Sequence, residues 1–237
     1  MKMLDVNKIN CRYFSRGTQL KLHKEKFLGL LLPEEILFPR YITGECSVLD
    51  LGCGAGRTTS YIRKMAGKVV GADLSQALIE AAEEKYPDVD FKVMDAGKMD
   101  FPDNSFDVVV FSYNGLCYVH PETKRMAAIS EIRRVLKKNG VFIFSSFNRF
   151  FPCTLYSILN LIVTKLFMGF SSKYTMHLTR YGITVNYETY PEQETKLFQS
   201  MGFELIEQVP MTERVGVWGY KPAVLTYYVF RKMLHTG

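Results

Sequence analysis

From Ser47 onward, short apolar runs alternate with amphipathic stretches, the pattern of a parallel sheet wrapped by helices. The first run, Ser47–Leu51, hands over to glycines, and a helix is expected from about Arg57 to Ala66. A second strand follows at Lys68–Ala72, after which Ser75 is placed to cap an Ala- and Glu-rich helix that ends before Pro87. Val89–Met94 reads as the third strand. Phe106–Phe111 is almost wholly apolar, as a central strand covered on both faces must be. The next helix has Pro121 at its first position and carries Met126, Ile129, Ile132, Val135 and Leu136 along one side. It is expected to stop at Asn139-Gly140, a suitable left-handed cap, leaving Val141–Ser145 as the fifth strand. Pro191–Met201 then reads as a helix closed by Gly202, Phe203–Val209 as a strand and Ala223–Phe230 as the last strand.

Two segments fall outside this alternation. Residues 1–45 read as an N-terminal helical cap, with Leu20, Phe27, Leu30 and Leu31 near helical spacing and Pro33 and Pro39 as punctuation. Residues 148–190 exceed what the core needs and contain the apolar stretch Phe150–Phe170. Pro152, Asn160, Lys165 and Gly169 interrupt that stretch, which speaks against a membrane span. A helical lid over the site is the first reading, and contact with a membrane surface through 150–170 the second. The expected organisation is one domain over 1–237: cap 1–45, cofactor-binding core 46–147, lid or acceptor insert 148–190, and C-terminal sheet 191–237.

A 47% hydrophobic and 23% charged composition supports a buried core and argues against disorder. The net charge of +6 permits an anionic partner, but Lys and Arg are thinly spread. Their densest group, Arg133, Arg134, Lys137 and Lys138, falls where it complements a helix C-terminus, so no nucleic-acid partner is expected. Cys11, Cys46, Cys53, Cys117 and Cys153 form no CxxC pair and no metal spacing. Reduced thiols, no metal and a cytoplasmic setting are the expectation, and Met1–Asn10 shows no apolar signal core.

The chemistry gathers at Asp50-Leu-Gly-Cys-Gly-Ala-Gly56, where a buried strand meets a helix. Gly52, Gly54 and Gly56 let the backbone turn sharply and approach a ligand closely. Dinucleotide-binding dehydrogenases use a similar turn, so the loop alone leaves NAD open. It lacks the GxxxxGK[ST] pattern, which excludes a nucleoside triphosphate site. The acid at Asp50 suits a cationic amino acid better than a pyrophosphate. Asp73, at the end of the second strand, can accept both ribose hydroxyls of an adenosine, a role NAD enzymes share. Asp95 is placed to accept the adenine amine, and Ala96 offers a backbone N–H.

The runs VLDLGCGAGRTT, GADLS, MDAGKMDFPDNSFDVVV and EIRRVLKKNGVFIFSS, in that order over residues 46–147, resemble the class I S-adenosylmethionine-dependent methyltransferase family. That resemblance implies an α/β fold with a seven-stranded, mostly parallel Rossmann-like sheet, helices on both faces, and S-adenosyl-L-methionine as cofactor. It also implies that Asp50 orders the loop near the methionine ammonium while Gly52, Cys53 and Gly54 pack on the cofactor. Asp73 would take the ribose, Leu74 the adenine face, and Asp95 with Ala96 its edge. Ser112, Tyr113 and Asn114 would face the sulfonium, and Tyr13, with Phe14 and Arg16, would close over the site.

Methyl transfer from a sulfonium is an in-line displacement in which alignment supplies most of the acceleration. A base is needed only for a protonated acceptor, and Tyr118, His120 and His177 are the candidates. Similar small-molecule enzymes often carry a His at the place of Cys117 or Tyr118, which this chain lacks. Tyr174, His177, Tyr181, Tyr187 and Trp218 are candidates for an aromatic acceptor pocket, or for plain packing. The leading expectation is a small organic acceptor methylated at O, N or C, by a monomer or homodimer. RNA, protein and a membrane-associated lipid or quinone remain as alternative acceptors, although SYNG stands where exocyclic base amines call for an NPPY-type motif. A non-catalytic cofactor-binding or lipid-surface protein and an NAD-dependent dehydrogenase are the competing classes.

Overall fold

The structure, a computed structural model, describes residues 5–15, 17, 21, 29–148, 162–167, 169, 173–179, 182–211 and 225–233. Its strands are β1 (Ser47–Leu51), β2 (Lys68–Asp73), β3 (Asp90–Val93), β4 (Phe106–Phe111), β5 (Leu136–Phe147), β6 (Tyr174–Thr179), β7 (Gly182–Tyr187), β8 (Phe203–Pro210) and β9 (Leu225–Lys232). Seven of them form one sheet in the order β3-β2-β1-β4-β5-β9-β8, and β6 pairs with β7 apart from it. β1 to β5 run parallel, while β9 is antiparallel to both β5 and β8. The expected seven-stranded, mostly parallel sheet is therefore present.

The helices are α1 (Val6–Ser15), α2 (Leu32–Tyr41), α3 (Thr59–Ile62), α4 (Gln76–Lys85), α5 (Glu122–Val135) and α6 (Pro191–Ser200). Strand alternation sends side chains to opposite faces, and β4 shows the consequence. Val109 and Phe111 join Ile129, Ile132, Phe142 and Phe198 in one core, while Val108 and Val110 join Leu37, Phe38, Ile62 and Tyr227 in another. Both faces are thus covered, which is why the strand reads as an unbroken apolar run. Ser75 caps α4 as expected, its hydroxyl accepting the Leu78 N–H at 3.3 Å.

Several boundaries differ from the sequence reading. α5 ends at Val135 because Leu136 already pairs with Phe106 on β4. Asn139, at φ 59°, and Gly140 form an irregularity inside β5 rather than a helix cap. The helix expected over Arg57–Ala66 is regular only at α3; beyond it the chain tightens into bonds such as Met65 N–H to Ile62 C=O. Pro33 and Pro39 lie within α2, Pro33 in its first turn where its missing N–H costs nothing. Arg134 is not merely a solvated helix end: it bonds Glu131, Asp103 and the carbonyls of Met99 and Phe101.

The insert after β5 is helical at 162–167 but also carries the β6–β7 hairpin, which the sequence reading did not predict. Tyr174, Val185 and Tyr187 from this hairpin pack with Val6 and Cys117. Beneath them lies a fully buried ion pair, Arg125 of α5 with Glu194 of α6, its guanidinium 4.1 Å from the centre of the Tyr187 ring. Most of Phe150–Phe170, with Leu20, Phe27, Arg16, Cys153, Tyr181 and Trp218, lies outside the described residues. Among the described residues, no helix is long and apolar enough to cross a membrane.

Candidate functional site

In an open parallel sheet the crevice forms where strand order reverses, here at the C-terminal ends of β1 and β4. The loop after β1 occupies that point. Gly52, Gly54 and Gly56 have φ of 66°, 57° and 82°, which L side chains adopt only with strain. Around the turn the Cys53 N–H bonds the Ala72 carbonyl at 3.1 Å, and the Gly54 N–H bonds Asp73 Oδ2 at 2.9 Å. Asp73 Oδ1 accepts the Ser75 N–H at 2.8 Å, so one carboxylate locks the first loop to the second. Burial pushes the Asp73 carboxyl up against the pull of those N–H groups.

A cavity of about 500 Å³ opens above this loop. Of the expected residues, Gly52, Cys53, Gly54, Asp73, Leu74, Asp95, Ala96, Ser112, Tyr113 and Tyr118 line it. Leu74 is 49% exposed, an apolar side chain left open on the cavity rather than packed in the core. Asp95 bonds the Gly97 N–H at 2.8 Å and lies 3.9 Å from Lys124, another lining residue.

Several expected residues do not line the cavity. Asp50 lies beneath the loop, fully buried, where Oδ2 accepts the hydroxyls of Thr58 (2.8 Å) and Thr59 (2.5 Å). Gly56 faces Tyr86, whose ring would be 2.8 Å from an added Cβ. Asn114 is buried in a left-handed conformation that starts the turn Gly115–Tyr118, its N–H bonding Ser145 Oγ at 2.7 Å. Tyr13 turns toward the hairpin, accepting the Thr179 hydroxyl at 3.3 Å. His120 packs edge-on against Tyr174 (centroids 4.6 Å apart), with its N–H bonded to Asn7 Oδ1 at 2.9 Å, and burial pulls its imidazole pKa down. His177 also stands off the cavity, its Nε2 2.8 Å from Glu188 Oε1.

The sequence reading found one wall only through Phe14 and missed the floor. α1 forms the wall with Asn7, Cys11 and Phe14. Residues flanking this stripe anchor the helix: Asn10, which also borders the cavity, bonds the Tyr118 carbonyl (3.0 Å) and both backbone groups of Val185 (2.9 Å each), and Ser15 Oγ is 2.6 Å from Ser75 Oγ. On the floor, Arg57 lines the cavity and holds the buried Glu34 in a two-pronged ion pair. A basic residue directly after Gly56 was a signal for this; Glu34 gave none.

Two expectations arise here. Burial raises the Asp50 carboxyl from 3.8 to about 6, overriding the two threonine bonds. The folded chain then holds this proton more tightly than the unfolded chain, so stability falls as pH rises from about 4 to 6. Asp50→Asn is expected to lose that slope in denaturant melts taken across the window. Separately, a Cβ at Gly52 would stand 2.5 Å from the Phe111 ring at φ +66°. Gly52→Ala is expected to cost roughly 2–4 kcal/mol from left-handed strain plus overpacking. Gly44→Ala, where a Cβ meets nothing within 4 Å, is the control melt.

A family model described as a methyltransferase domain matches residues 48–140. Demethylmenaquinone methyltransferase of Chlorobaculum parvum is 32% identical over 179 residues, covering 73% of this chain and 72% of that protein. A putative methyltransferase of Invertebrate iridescent virus 6 is 42% identical over 71 residues, 29% of this chain and 26% of its own length. A probable S-adenosylmethionine-dependent methyltransferase of Mycolicibacterium smegmatis is 33% identical over 102 residues, 43% of this chain and 38% of its own length. The chain thus spans well under half the length of these last two. Among solved structures, an S-adenosylmethionine-dependent methyltransferase of Methanosarcina mazei superposes with a TM-score of 0.73 at 18% identity, covering 87% of this chain and 100% of that one. The 1,6-didemethyltoxoflavin-N1-methyltransferase of Burkholderia thailandensis gives 0.61 at 17% identity, covering 90% and 79%. The structures carry the fold and the Chlorobaculum relative carries the kinship: this chain belongs to the class I S-adenosylmethionine-dependent methyltransferase family.

Proposed function

We propose that the chain transfers a methyl group from S-adenosylmethionine to a small, largely apolar organic acceptor, in the cavity between α1 and the β1 and β4 loops. The observation that carries this is the lining itself. Gly54 stands at the cavity in a left-handed conformation with open space where a Cβ would project, so a ligand can lie against bare backbone. Asp73 and Asp95 follow successive strands on the same cavity. Beyond its backbone N–H bonds from Gly54, Ser75 and Leu74, the Asp73 carboxylate keeps capacity to accept a ribose hydroxyl. Leu74 would cover one adenine face, with Asp95 and the Ala96 backbone at its edge.

When bound, S-adenosylmethionine supplies an electrophilic methyl on a sulfonium, displaced in line by the acceptor. Phe14, Tyr113 and Tyr118 would hold an apolar acceptor in register and keep water away. Where the acceptor arrives protonated, Tyr118 on the lining would serve as the base; no histidine is among the lining residues described.

A second reading, a membrane-borne quinone, is favoured by one specific feature. Residues 162–167 present Ile162, Leu166 and Phe167 at 51%, 71% and 62% exposure, and the Chlorobaculum relative is named for a demethylmenaquinone. Both readings are tested by incubating the chain with methyl-labelled S-adenosylmethionine and a cell extract, then separating low-mass organic-extractable products from protein and RNA. Label in the extractable fraction is expected; label confined to RNA or protein would overturn the small-acceptor assignment. Adding quinol-loaded vesicles distinguishes the second reading, which requires label to enter the quinone.

A further inference from the structure

Glu34 lies outside the segment that the family model matches, yet it organises the cavity floor. Its carboxylate is fully buried and accepts from Arg57 Nη1 (2.5 Å) and Nη2 (2.7 Å), the Leu31 N–H (2.7 Å), the Tyr227 hydroxyl (2.7 Å) and the Ser112 hydroxyl. Ser112 Oγ is also 3.0 Å from Tyr227 Oη. The two hydroxyls bring one proton each, and the carboxylate is the strongest acceptor within their reach. Whether Ser112 donates straight to Glu34 or by way of Tyr227, its proton stays inside the network. The Ser112 lone pairs are then left to accept, and Ser112 lines the cavity.

Arg57 lines the same cavity, its guanidinium oriented by the two carboxylate bonds and 5.6 Å from the centre of the Tyr113 ring. A held cation and a hydroxyl oxygen committed to accepting therefore stand side by side. That pairing matches a zwitterionic α-amino-acid group, which brings one carboxylate and one ammonium.

We propose that Glu34 is a positioning residue that sets the polarity of this floor, holding Arg57 for the carboxylate and Ser112 Oγ for the ammonium of the ligand's amino-acid end. The proposal rests on the reading of the cavity as the S-adenosylmethionine seat. It ties α2 to cofactor recognition through charge rather than through packing alone.

The test compares two ligands by calorimetry on the full chain: S-adenosylhomocysteine, and 5′-methylthioadenosine, which shares the adenosine but lacks the amino-acid group. Glu34→Gln is expected to weaken S-adenosylhomocysteine by about tenfold or more while leaving methylthioadenosine within about twofold. Equal losses for both ligands, or none for either, would overturn the proposal, since a merely structural glutamate would not change their ratio. Glu34→Gln leaves a buried guanidinium without its counter-ion, so Ser112→Ala is measured beside it. That variant removes only the accepting oxygen and should shift the same ratio by about fivefold. If Glu34→Gln does not fold, the Ser112→Ala ratio decides, and an unchanged ratio overturns the proposal. A wild-type chain that binds both ligands equally retires the Glu34 proposal alone. One that binds neither retires the cofactor seat, and the proposal with it.

Discussion

Glu194→Ala should lower the melting temperature by roughly 6–20 °C, because it leaves Arg125 charged and unpaired where no solvent reaches. The pair joins α5 to α6 beneath the hairpin, and both side chains are fully buried. Removing one partner of such a pair typically costs about 3–5 kcal/mol, most of it the desolvation of the remaining charge. The same reasoning predicts recovery when both charges go together. Arg125→Met with Glu194→Leu replaces the pair by apolar groups of similar length and is expected to melt close to wild type. A thermal melt of the three proteins checks this; a Glu194→Ala loss under about 1 kcal/mol would mean that the pair contributes as a surface ion pair does.

Asp73→Ala is the second large effect, and it falls on binding. The carboxylate bonds the Gly54 and Ser75 N–H groups and borders the cavity, so the variant loses loop anchorage and ribose acceptors at once. A loss of about 1–3 kcal/mol in cofactor binding is expected, a five- to 150-fold rise in the dissociation constant for S-adenosylhomocysteine. Asp73→Asn keeps the shape and one acceptor and should fall between wild type and Asp73→Ala. Calorimetric titration of the three proteins measures the series, and an unchanged constant in Asp73→Ala would remove Asp73 from the site.

The fold was legible because its signals are local and repeat. Ser47–Leu51, Phe106–Phe111 and the Gly52–Gly56 turn each announce themselves by apolar runs or by glycines, and a parallel sheet wrapped by helices follows from their alternation. What failed was phase. Val6 and Tyr13 lie on the buried face of α1, so Asn7, Cys11 and Phe14, one residue along, turn to the cavity, with Asn10 buried at its border. The helical period was readable, but not which stripe the fold would bury: of the expected pair Tyr13 and Phe14, only Phe14 lines the cavity. His120 failed differently, since its neighbour Asn7 and the ring of Tyr174 are contacts between segments far apart in sequence. Glu34 and Tyr227 meet across almost the whole chain, and no spacing rule reaches that far. The β6–β7 hairpin does alternate apolar and polar residues, from Tyr174 to Thr179 and from Ile183 to Tyr187, but the expectation of a helical lid over 148–190 passed over that signal.

The central claim is that the cavity above the Gly52–Gly54 turn seats S-adenosylmethionine. Parallel calorimetric titrations of the full chain with S-adenosylhomocysteine and with NADH test it most directly. Saturable one-to-one binding of S-adenosylhomocysteine, lost in proportion in the Asp73 series, with no heat from NADH, is the predicted result. Binding of NADH with no response to S-adenosylhomocysteine would contradict it.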